Sequence, residues 1–216
     1  MRQRQNRIPD HQLWLGRVRF TPGFLFLAAL LLYQSSSAFL ISFLVAAALH
    51  ELAHVGMARL LGIPVRTLSM TAFGCVLTLA DEALIPNRKL LLIAAAGPLL
   101  NLGIAALCQG LFHTVGLAAL FGAENLLLAL FNLLPVFPLD GAVILSSALS
   151  FRLLPEQAER WTCGCSLALV AVAVTAALLL HGAARPRVLL FALWLAVGLV
   201  QKIGNRPCLF SFFQVK

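Results

Sequence analysis

The run from Phe39 to Leu61 is apolar and long enough to cross a bilayer, yet it contains His50, Glu51 and His54. A spanning segment must satisfy its backbone internally, so this run has to be a helix. Its ionisable side chains must face protein or a wet cavity, because lipid-facing His and Glu are costly. Residues four apart share a helix face, so both imidazoles of His50-Glu51-Leu52-Ala53-His54 can reach one metal ion. Glu51 falls beside them, where it can take a proton from water activated by that ion.

The remaining sequence is of the same kind. Of the 216 residues, 61% are hydrophobic and 11% charged, against roughly 45–50% and 25% for soluble chains. This composition predicts a polytopic, all-α membrane bundle with no soluble domain. No internal repeat or low-complexity segment interrupts it. Residues 1–21 read as a basic cytoplasmic tail with Arg2, Arg4, Arg7, Arg17 and Arg19. That tail is too long and charged for a signal-peptide start, and no small-residue cleavage site follows, so no cleaved signal is expected. Residues 22–205 form the expected membrane core, and 206–216 a short C-terminal tail. The net charge of +8 is read as topology signal rather than a nucleic-acid surface. Cys75, Cys108, Cys163, Cys165 and Cys208 are scattered through apolar sequence and predict no disulfide.

Turn signals divide the core into about six spans: Pro22 to Ser37, Phe39 to Leu61, Leu90 to Gln109, Leu117 to Val136, Cys163 to Leu180 and Val188 to Ile203. With the N-terminus in the cytoplasm, only Arg185 and Arg187 of the 16 Lys and Arg residues fall outside, as the positive-inside rule requires. Between the second and third spans, Val65, Thr67, Ser69, Thr71, Phe73, Val76, Leu77 and Thr78 favour strand, with Gly74 as a break. A small β-hairpin or sheet is expected there. Its open edge suits an unwound peptide segment added as a further strand. Ala142 to Leu154 suggests a short helix at the cytoplasmic face.

Catalytic zinc usually has three protein ligands, so His50 and His54 need a partner. In this topology the second and fourth spans both run toward the cytoplasm. The fourth ends in Asn132-Leu133-Leu134-Pro135-Val136-Phe137-Pro138-Leu139-Asp140-Gly141. The prolines break the helix and Gly141 permits a sharp turn, which brings the Asp140 carboxylate to the depth of the imidazoles. The alternative is that Asp140 caps a helix starting at Gly141. His11, His113 and His181 lie at other depths.

These motifs carry a resemblance. HELAH in a second span, Ala96-Gly97-Pro98-Leu99-Leu100-Asn101 opening a third, and Asn125 and Asn132 ahead of Leu-Leu-Pro-x-x-Pro-Leu-Asp140-Gly141 resemble the site-2 protease family of intramembrane zinc metalloproteases. The nearest likeness is to the stage IV sporulation protein FB branch, which cleaves a sigma-factor precursor. The resemblance implies one Zn²⁺ per chain on His50, His54 and Asp140, with Glu51 as general base. It also implies that Asn125 holds substrate or polarises its carbonyl. Expected partners are the lipid bilayer and a membrane-associated protein substrate, such as a sigma-factor precursor or an anti-sigma factor, with a separate regulatory membrane protein. The expected location is a bacterial cell membrane, with both termini cytoplasmic. Where many relatives have a second glycine after the aspartate, this sequence has Ala142. Neither a nucleotide-sensing domain nor a PDZ insertion accompanies the core, so control by a fused domain is not expected. Two other readings stay open: a catalytically silent relative that binds membrane proteins, and a metal transporter.

Overall fold

The computed structural model describes residues 13–15, 18–20, 37–71, 74–79, 85–112, 116–179 and 184–205. The expected first span, apart from Ser37, lies outside these residues, as do His11, His113, His181 and the tail 206–216.

Six helices are described: α1 (Ser37–Leu60), α2 (Asn87–Phe112), α3 (Gly116–Asn132), α4 (Asp140–Leu149), α5 (Pro155–Leu179) and α6 (Ala184–Asn205). Three of them, α1, α2 and α5, are long and apolar enough to cross a membrane. The expected six spans are therefore not reproduced as six long helices among the described residues. The fourth expected span stops at Asn132 as a 17-residue helix, four positions before Val136. Pro135 and Pro138 supply no backbone N–H and disfavour helix just ahead of them. The fifth begins earlier than expected, because Pro155 is a favoured first helical residue and the polar turn behind it is helical too. The third begins at Asn87, so Gly97 and Pro98 lie deep inside α2 rather than at its entry.

Strands β1 (Leu13–Leu15), β2 (Val18–Phe20), β3 (Val65–Thr71) and β4 (Gly74–Leu79) form one sheet in the order β1-β2-β3-β4. β3 and β4 pair antiparallel, and β2 joins β3 in parallel. The segment read as a basic tail therefore contributes two strands. Trp14, Val18 and Phe20 are strand formers that its many arginines obscured.

α2 packs against α1, α3 and α4, and α5 packs against α4 and α6. On α1 the buried face is Ala46, His50, His54 and Ala58, while Leu44, Leu52 and Leu60 are exposed. Alanines one turn either side of the histidines let a neighbouring backbone come close. At the far end of α1, Ala58, Ile63, Leu79 and Ile93 form one apolar cluster, which ties the hairpin to α1 and α2. A second cluster joins Val136, Phe137, Leu139 and Ala142 to Cys163, Val170, Leu195 and Leu199. It embeds the connection between α3 and α4 in the bundle.

Candidate functional site

Two helices and one irregular connection build the site. α1 presents His50 and His54 on its buried face, at 3% and 6% exposure. α2 lies against them at Gly97, where an added Cβ would clash with Nε2 of His54 and come within 2.7 Å of Cε1 and Nε2 of His50. Glycine is required there by the close approach of the rings. Replacement by alanine is expected to overpack the site at a cost of about 1–3 kcal/mol. Chelator competition should show weaker zinc binding by Gly97→Ala, with helix content unchanged by circular dichroism.

The third group arrives from the connection. α4 begins at Asp140; its N-cap is Leu139, and no side chain makes a capping hydrogen bond. The Asp140 carboxylate is turned instead toward the histidines. Its Oδ2 is 3.0 Å from Nε2 of His50 and 3.3 Å from Nε2 of His54. The two Nε2 atoms are 3.1 Å apart. These separations approach the roughly 3.3 Å edge of a tetrahedron with zinc bonds of about 2.0–2.1 Å.

The donor chemistry fits the same ion. Nδ1 of His54 is 2.7 Å from the Ile93 carbonyl oxygen. A carbonyl only accepts, so Nδ1 carries the proton and Nε2 of the neutral ring offers a lone pair. Such a second bond from the far ring nitrogen is the usual way a ligating histidine is oriented. A bare Nε2, a second imidazole nitrogen and a carboxylate oxygen gathered in a buried place repel one another unless a cation or protons lie between them. His50, His54 and Asp140 are the metal-capable trio among the described residues.

In the connection that carries Asp140, the Leu133, Leu134, Val136 and Leu139 N–H groups donate to backbone carbonyls. At this depth, irregular backbone must be satisfied by protein or water. Ser166 of α5 supplies part of that: its Oγ accepts from the Phe137 N–H at 3.2 Å and lies 3.1 Å from the Pro135 carbonyl oxygen. Gly141 allows its Cα to rest against the Leu133 and Leu134 carbonyls, where a Cβ would not fit. Gly198 of α6 closes over the Pro138 ring. The Phe137–Pro138 peptide is cis. Ser166→Ala is expected to remove the acceptor of the buried Phe137 N–H, costing about 1–3 kcal/mol. Loosening Asp140 in this way should weaken zinc binding by about tenfold in equilibrium dialysis.

The other candidates divide. Glu51 is half-buried on α1, directly after His50. Asn125 is fully buried on α3, but its Nδ2 donates to the Phe121 carbonyl at 2.8 Å. Its chain neighbour Glu124 accepts a hydrogen bond from Ser42, about 12 Å along α1 from His50 at 1.5 Å per residue. No described contact joins Asn125 to the His–His–Asp group. Asn132, at the end of α3, precedes the Leu133 carbonyl that touches Gly141. Its position next to the Asp140 connection was visible in the sequence motif, but no role was read for it there.

Comparison with known proteins places this geometry. The sequence profile of Peptidase family M50 matches residues 38–116 and 104–173. Zinc metalloprotease MJ0392 of Methanocaldococcus jannaschii is 35% identical over 113 residues, covering 49% of this chain and 32% of that protein. Rip3 of Mycobacterium tuberculosis, named as a zinc metalloprotease, is 39% identical over 102 residues, covering 43% of this chain and 26% of that protein. The chain thus spans about a third or less of the length of these relatives in the match. The solved structure of a site-2 protease from Methanocaldococcus jannaschii superposes with a TM-score of 0.68 at 23% identity, covering 88% of this chain and 93% of that one, a likeness of fold. The family profile covers more than half of the sequence, including the HExxH helix and the Asp140 connection, so the chain belongs to Peptidase family M50.

Proposed function

We propose that the chain is an intramembrane zinc metalloendopeptidase that cuts membrane-associated proteins near the cytoplasmic face. The observation that carries this reading is the convergence of His50, His54 and Asp140 within an apolar bundle. These three residues would hold the ion. Zinc bound there supplies Lewis acidity, the means by which zinc hydrolases obtain hydroxide near neutral pH.

The remaining chemistry belongs to the protein. Glu51 would accept a proton from the attacking water and deliver it to the departing amine. The amide of Asn132, at the end of α3 beside the Asp140 connection, suits the polarised substrate carbonyl better than Asn125, which lies about one turn from the imidazoles and is fully buried between helices. A substrate helix has to unwind before its carbonyls can be reached, and an open sheet edge suits the unwound segment.

The finer readings rest on the resemblance and on charge distribution. We take the chain to cross the membrane about six times with both termini cytoplasmic, which puts most Lys and Arg inside. A bacterial cell membrane, the stage IV sporulation protein FB branch, a sigma-factor precursor or anti-sigma factor as substrate, and a separate membrane regulator are parts of the same proposal. The test compares membrane proteomes from cells carrying wild-type or Glu51→Gln protein. Fragments that require the wild-type chain support the peptidase. Identical fragment patterns with zinc retained would favour the catalytically silent reading.

A further inference from the structure

Helix register gathers a second set of polar side chains, away from the metal donors. α1 and α2 run antiparallel, with His54 against Ile93 and His50 against Gly97. One turn back along α1 and one turn on along α2 set Ala46 level with Asn101. The next turn sets Ser42 level with Ala105. α3 runs antiparallel to α2, and its Gly122 packs on Ala105 and Cys108. One turn beyond Gly122 is Asn125, level with Asn101. Glu124 occupies the Ser42 layer, its Oε1 accepting from the Ser42 hydroxyl at 2.8 Å. The two layers lie roughly 6 and 12 Å along α1 from His50.

Asn101 and Asn125 are 0% exposed and Glu124 is 3% exposed. Their hydrogen bonding is incomplete. Asn125 commits Nδ2 to the Phe121 carbonyl, which leaves its Oδ1 without a partner. Oε2 of Glu124 and both amide atoms of Asn101 also have none. Three unpartnered oxygens therefore share one unpartnered NH₂ group. Among the described residues, the partner of the Glu124 carboxylate is the Ser42 hydroxyl, and no Lys, Arg or His is found paired with it. A buried carboxylate without a cationic partner is costly in an apolar bundle, and buried unpartnered polar atoms call for an occupant.

Water would donate hydrogen bonds but leave the charge uncompensated. A hard cation answers both needs. A carboxylate, two amide carbonyls and a hydroxyl are the all-oxygen donors such ions take, and a single formal negative charge matches a single positive one. We propose that Ser42, Asn101, Glu124 and Asn125 form a binding site for a monovalent cation of the sodium type. The ion ties α1, α2 and α3 together beside the helix faces that carry His50, His54 and Gly97. This site does not depend on the peptidase reading.

The experiment is thermal unfolding of the purified full chain in detergent, with sodium chloride replacing choline chloride at constant ionic strength to hold screening fixed. Raising sodium from about 1 to about 150 mM should raise the midpoint by roughly 3–5 °C. Glu124→Gln should abolish the sodium-dependent rise, and Asn125→Ala, which keeps the carboxylate, should shift it to about tenfold higher sodium. Sodium NMR provides a measurement that needs no variant: the wild-type chain should broaden the sodium line, and excess potassium or lithium that occupies the site should reverse the broadening. A midpoint equal in sodium and choline would overturn the proposal. So would a sodium effect of unchanged size in Glu124→Gln.

Discussion

Glu51→Gln should reduce peptide-bond hydrolysis by about 10³-fold while zinc content stays at that of the wild type. The substitution keeps the size and shape of the side chain and removes only its ability to take a proton. A positioned general base contributes roughly 10²–10⁴-fold, and among the described residues the other acid gathered with the imidazoles is Asp140. Asp140, the other acid in the group, is held 3.0 and 3.3 Å from the two imidazoles. Cleavage of a reconstituted substrate, with zinc measured by atomic emission on the same sample, checks both halves. Full activity in Glu51→Gln would remove Glu51 from the mechanism. Loss of zinc together with activity would make it a structural element of the metal group instead.

Asp140→Ala should have the largest effect on the metal itself. Two imidazoles one turn apart remain, one short of the three protein ligands that catalytic zinc sites normally have. Zinc affinity should fall by more than about 100-fold, beyond the 10–100-fold typical of losing an outer hydrogen-bond partner. Zinc should also cease to raise the unfolding midpoint, since an ion stabilises only the state that binds it. Asp140→Ser separates this from a capping role. Serine is a good cap but a poor zinc ligand. Because the N-cap is Leu139 and no side-chain capping bond is made, serine should behave like alanine. Retention of zinc by Asp140→Ser would overturn the assignment of Asp140 as ligand.

The convergence of His50, His54 and Asp140 was legible because it rests on spacing that is local or tied to depth. Four-residue spacing sets His50 and His54 on one helix face whatever surrounds them. Two prolines and a glycine mark where α3 must stop and turn. What could not be read were distances that depend on helix register. Asn125 and Asn132 sit on one helix in one motif, and spacing alone does not say which lies level with Asp140. Packing sets the levels: Gly122 against Ala105 puts Asn125 about one turn from the imidazoles, and Gly141 against the Leu133 carbonyl puts Asn132 beside the Asp140 connection. Helix limits failed for a related reason. Hydropathy follows side chains, so it continued the fourth span through Val136. The backbone ends that helix at Asn132, ahead of prolines that cannot continue it. Gly97 was visible as a residue, yet its role as the floor beneath both imidazoles needed the neighbouring helix.

The strand order bears on inhibitor design. β3 is flanked by β2 on one side and β4 on the other, so its Leu68–Met70 stretch is paired on both sides. A peptidomimetic that depends on main-chain pairing beside the hairpin has to be written in register with the outer edge of Gly74–Leu79. Leu79 closes the cluster against Ile93, whose carbonyl holds His54. For the zinc peptidase proposed above, a chelating group therefore belongs at the end of the compound that lies alongside Leu79, with the end at Gly74 directed away from the imidazoles.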